Sequence, residues 1–128
     1  SFDVNRLGSI DGLSLSQYTI VLSQYCIYLQ AQYNATYVRY VNARKVYDFN
    51  LQKVIIDNRA TTGKTVAERE FNAMLLSPDL QGLKQQVDLV ESEKDLLQDM
   101  DKSLKLLIEA FKKEMGRRTD ELMLSRRG

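Results

Sequence analysis

Apolar residues recur every three to four positions along two long stretches of this chain, 15–60 and 78–125. No stretch alternates apolar and polar residues between turn signals as a half-buried strand would. The expected fold class is therefore all-α. From Leu15 to Ala60 there is neither Gly nor Pro, so one helix about 70 Å long is expected there. Ser14-Leu15-Ser16-Gln17 reads as a capping box at its start, with Leu13 and Tyr18 placed as a hydrophobic staple. Thr61-Thr62-Gly63 ends it, Gly63 suiting the left-handed position past a helix. A second box, Thr65-Val66-Ala67-Glu68, opens a short helix over 66–76. Ser77-Pro78-Asp79 then starts a third helix over 78–125, with Ser77 as cap, Pro78 in the first turn and Asp79 at the positive end of the helix dipole. Gly82 and Gly116 are its weak points. Residues 1–13 carry no sustained period and read as an N-terminal arm. The remainder, 14–128, reads as one domain: two long antiparallel helices joined by a short one.

The faces of the first helix are unequal. At 100° per residue, Tyr18, Tyr25, Tyr33, Tyr37, Tyr40 and Tyr47 fall in one arc of about 120°, with Leu15, Leu22, Leu29, Val46, Leu51 and Val54; Tyr28 lies apart. Such an arc is expected to pack against the third helix. The hairpin core would then hold Tyr18, Leu22, Tyr25, Leu29, Tyr40 and Tyr47 from the first helix. The third would contribute Leu97, Leu104, Ile108 and Phe111. The alternative is a row of stacking platforms for single-stranded nucleic acid, with Arg44 and Arg59 on the same side. A narrower ridge, Ile20, Ile27, Val38, Phe49 and Ile56, lies on the opposite side. One partner helix cannot cover both, so the ridge is expected to be an oligomer interface, in a helical bundle or ring. The third helix has its own seam, Leu83, Val87, Val90, Leu97, Leu104, Ile108, Phe111, Met115 and Leu122. Lys94, Asp101 and Arg118 interrupt it, either to set register or simply to reach water.

Composition removes many chemistries. The 128 residues include no His, no Trp and one Cys, so an imidazole base, a disulfide framework and a Cys-rich zinc site are all excluded. Gly63-Lys64-Thr65 resembles the end of a phosphate-binding loop, but Asn58 stands where that loop needs Gly, and a helix precedes it instead of a strand. Lys64 with the start of the short helix retains at most a loose phosphate site. Glu91/Glu93 and Asp99/Asp101 are spaced by two and do not face one another on a helix. Cys26, among Leu and Tyr, reads as a core residue. No enzyme, metal or cofactor is expected. Gly12 to Val38 has no charge, yet 11 of its 27 residues are Ser, Thr, Gln, Asn or Gly, too polar for a membrane span. A start without a signal-peptide pattern and the lone Cys fit a cytoplasmic protein.

Net charge is +1, from 18 basic and 17 acidic residues, but its distribution is uneven. Residues 79–101 hold seven acidic side chains and two Lys, a balance of −5, whereas 102–127 hold eight basic and four acidic, a balance of +4. Arg59, Lys64 and Arg69 cluster around the turn; Arg117, Arg118, Arg126 and Arg127 cluster near the end. These seven are the candidate phosphate contacts. A solvated mixed-charge surface is the alternative.

The long Tyr-rich first helix, the turn Asn58-Arg59-Ala60-Thr61-Thr62-Gly63-Lys64-Thr65 and the break Leu75-Leu76-Ser77-Pro78-Asp79-Leu80 together form a recognisable layout. With the ending Arg117-Arg118-Thr119-Asp120-Glu121-Leu122-Met123, that layout resembles the small helical accessory proteins of tailed bacteriophages and, more loosely, recombination mediators of the UvsY type. The chain departs from those mediators in lacking their Tyr-Tyr-Ser-Gly segment at the first turn. The resemblance implies a ring-shaped homo-oligomer in the host cytoplasm that binds single-stranded DNA and helps load a recombinase. The alternative function is a structural or assembly protein, for instance of a virion, acting through helix–helix contacts.

Overall fold

The structure, a computed structural model, describes residues 4–58 and 63–127. A 3₁₀ helix, Val4–Ser9, precedes three α-helices: α1 (Gly12–Asp57), α2 (Val66–Leu76) and α3 (Pro78–Arg127). No strand occurs among the described residues, and the class is all-α. The chain divides into two compact units. One comprises 1–32 and 97–128, the other 33–96.

In the first unit, α1 starts earlier than the Ser14 box suggests. Asp11 is the cap: one carboxylate oxygen accepts from the Ser14 backbone N–H and the other from the Ser14 hydroxyl, both at 2.8 Å. An ionised acceptor holds free helix N–H groups more strongly than a hydroxyl does, and these bonds hold the Asp11 carboxyl below its ordinary pKa. The Leu13–Tyr18 staple does not form, since Leu13 is 71% exposed. The arm is not loose around Leu7. That side chain is buried with Leu15 and Phe111, and Ile10, Leu22, Leu107, Ala110 and Met115 pack around them. Burying Leu7 is what draws the 3₁₀ turn onto α1 and α3.

The second unit is built on Tyr47, Leu51, Ala73, Leu80 and Val87, flanked by Tyr40, Ala43, Val54, Ile55, Met74 and Leu83. Ala73, fully buried, lets α2 approach closely. The start of α2 is set locally: the Thr65 hydroxyl accepts from the Glu68 N–H at 3.1 Å, while the Glu68 carboxylate accepts from the Lys64 N–H at 3.1 Å. Gly63 enters this turn with φ +94°, and a Cβ on it would lie 2.8 Å from Glu68 Cβ, so only glycine fits. Ser77 both closes α2, donating its N–H to the Ala73 carbonyl, and opens α3, its hydroxyl accepting from the Leu80 N–H at 3.2 Å. The helix expected to reach residue 60 ends at Asp57, where the Asn58 amide donates to the Val54 carbonyl.

Candidate functional site

The described members of the seven expected phosphate contacts divide between the units: Lys64 and Arg69 in the second, Arg117, Arg118 and Arg126 in the first. Arg59 lies outside the described residues, and the Arg127 side chain does too. At the start of α2, the Arg69 guanidinium donates to the carbonyls of Gly63 (3.2 Å) and Lys64 (3.1 Å). It therefore closes the turn while remaining exposed. The N-terminal N–H groups that could have held a phosphate meet Thr65 and Glu68 instead. Lys64 is exposed there, with no carboxylate partner among the described residues.

Near the end of α3, Arg117 forks onto Glu114 at 2.7 and 3.0 Å and also reaches Glu121. Arg118 donates to Glu114 at 2.9 Å, to the Leu7 carbonyl at 3.1 Å and to the Ile10 carbonyl. Two guanidinium groups hold the Glu114 carboxyl down to about pKa 2. Arg118 is thus a tether for the 3₁₀ arm. Of the seven, Lys64, Arg69 and Arg126 are exposed without an ion pair among the described residues, and of these Arg69 is bonded to backbone carbonyls.

The expected core residues separate into three groups. Leu29, Tyr47, Ile108 and Phe111 are buried. Leu22, Tyr40, Leu97 and Leu104 are half-buried. Tyr18 and Tyr25 are corrections: they are 50% and 46% exposed. An arc of 120° is wider than one facing helix covers, so Leu15 and Leu29 take the centre and these rings the rim. Tyr28 and Tyr37 are exposed as well. Neighbouring rings touch: Tyr25 and Tyr28 stack at 5.8 Å between centroids, and Tyr33–Tyr37 and Tyr37–Tyr40 stand at 6.2 and 6.5 Å.

The ridge residues are all exposed. In the first unit these are Ile20 and Ile27, in the second Val38, Phe49 and Ile56, and their exposures run from 57% to 71%. On the other side of α1, in the first unit, two apolar hollows share Leu107. One of about 400 Å³ is lined by Tyr25, Leu29, Asp99, Met100, Ser103, Leu104 and Leu107. The other, about 250 Å³, is lined by Tyr18, Val21, Leu22, Leu107 and Phe111.

Cys26 is a further correction. It is half-buried and donates its S–H to Asp101 at 3.2 Å, while Lys105 meets the same carboxylate at 2.8 Å. Burial, then the Asp101 carboxylate, push the thiol pKa up, so it is a poor nucleophile. Sequence reading missed this contact because 75 residues separate the partners. Asp101 as an interruption of the α3 seam was its only signal. Among the described residues no three His, Cys, Asp or Glu side chains gather as a metal site, and no helix is long and apolar enough to cross a membrane. Compared with protein-family models, curated proteins and solved structures, the chain matches none.

Proposed function

We propose that this chain is a non-enzymatic assembly protein, acting as a homo-oligomer whose helices pack against other helices. The observation that carries the reading is the ridge of α1. Ile20 and Ile27 in the first unit, and Val38, Phe49 and Ile56 in the second, stand 57–71% exposed on α1. Full burial of such a side chain is worth about 1.5–3 kcal/mol, and exposed apolar rows of this kind mark interaction surfaces. The basic residues offer less, because Arg69, Arg117 and Arg118 are engaged within the chain. Analytical ultracentrifugation tests the reading. The wild type should sediment above the 14.8 kDa of one chain, and the association should persist in high salt. Phe49→Glu should weaken it. A wild type that stays monomeric at tens of micromolar overturns the proposal.

One observation favours a second reading, a single-stranded DNA-binding accessory protein that works with a recombinase. The rings of Tyr25, Tyr28 and Tyr37 are about half exposed and pair with neighbouring rings, as base-stacking platforms would be. Anisotropy of a labelled oligonucleotide tests it: no binding at low salt removes this reading.

A further inference from the structure

We infer that the apolar groove of the first unit seats α1 of a second copy of this chain, antiparallel across a two-fold axis. This rests on the assembly reading and names its partner. The two hollows that share Leu107 make one groove between α1 and α3, with Tyr18, Val21, Leu22, Tyr25 and Leu29 on the α1 wall. From Tyr18 to Leu29 that wall is about 17 Å long, three turns of helix. It is a different side of α1 from the Ile20–Ile27 ridge.

Charge chooses the occupant. A two-fold interface brings each surface against itself, so any charge near the axis meets its own like. From Gly12 to Gln32, α1 carries no charge at all, in a chain that is 27% charged. A neutral helix can lie against its own copy without repulsion, whereas a charged partner finds nothing on the α1 wall to pair with. The one charged residue lining the groove is Asp99, which repels a phosphate backbone. Area agrees: half-exposed Tyr18 and Tyr25 leave about 200 Å² of aromatic surface in water. That is a substantial aromatic centre for the roughly 800 Å² per partner that a standard interface hides. Groove contacts would close a dimer and leave the ridge of α1 free for larger assembly.

The test compares Val21→Glu, in the groove wall, with Ile27→Glu, on the ridge; both positions are exposed, at 59% and 70%. Each is sedimented alone, with helicity checked by circular dichroism. Val21→Glu should raise the dimer dissociation constant at least tenfold, and Ile27→Glu should leave a dimer. If Val21→Glu keeps the wild-type mass while Ile27→Glu lowers it, the groove inference falls and the assembly reading stands. If the wild type is monomeric, both fall. A second measurement covers a Val21→Glu chain that loses helicity: Tyr25→Cys with Cys26→Ser, the serine keeping the donor to Asp101. On oxidation this chain should give a disulfide-linked dimer, and its failure to cross-link overturns the inference.

Discussion

Three charged side chains interrupt the apolar seam of α3, and each is held by a group distant in sequence. Lys94 sits 5.2 Å from the centre of the Tyr40 ring, Asp101 accepts from Cys26, and Arg118 donates to Leu7 and Ile10 carbonyls. Their side chains are only 16%, 17% and 23% exposed, so water is not their main partner. Arg118→Ala leaves the two carbonyls and Glu114 without their charged donor. It should cost roughly 1.5–3 kcal/mol and expose the 3₁₀ arm to limited proteolysis, read by urea titration and mass spectrometry of the fragments. Arg118→Lys should rescue only part of that loss, since an ammonium cannot fork across three acceptors. Glu114 adds a pH signature. A carboxyl whose folded pKa is about 2, below its ordinary 4.5, contributes stability that is whole above pH 4.5 and lost as pH falls toward 2. Acid titration of the wild type should therefore show a destabilisation in that window that is diminished in Glu114→Gln. The Glu114 pairs follow from helical spacing, but the Tyr40, Cys26, Leu7 and Ile10 partners could not be read from it, because spacing reports faces and not what a face meets.

Helix starts show what local chemistry can and cannot decide. Thr65 and Ser77 cap α2 and α3 through groups within three residues, and both were legible from the sequence. At α1 the sequence pointed to Ser14, but the Asp11 carboxylate holds the Ser14 backbone N–H. Asp11→Ala should therefore lower stability by about 1 kcal/mol while Ser14→Ala changes it by less, measured by thermal melts followed by circular dichroism. Glycines separate in the same way. Gly82 and Gly116 lie in α3 with nothing within 4 Å of an added Cβ, so Gly82→Ala and Gly116→Ala should each stabilise by about 0.5–1 kcal/mol. Gly63→Ala should destabilise by more than that, because its φ is positive and Glu68 fills the space.

For the whole molecule, the open question is what covers its apolar surface, and salt gives the sharpest division. If all seven basic residues met phosphates of a single strand, affinity would fall with salt at a log–log slope near −5, about −0.7 per contact. Among the described members of the seven, Lys64 and Arg126 are the ones not engaged within the chain; contacts from these two alone would give a slope of about −1.4, whereas apolar self-association should barely change. Oligonucleotide anisotropy and sedimentation at two salt concentrations read both quantities. The all-α class, the short helix between two long ones and the two-sided apolar character of α1 were set by the sequence, because helical period and capping act over a few residues. Which rings are buried was decided only by the tertiary structure. α3 covers a narrower arc than the apolar pattern offers, so Tyr47 goes inside while Tyr18 and Tyr25 remain at the rim. The fate of Arg118 was tertiary too: folding brings the Leu7 and Ile10 carbonyls within its reach, whereas Arg69 and Arg117 take acceptors no more than six residues away.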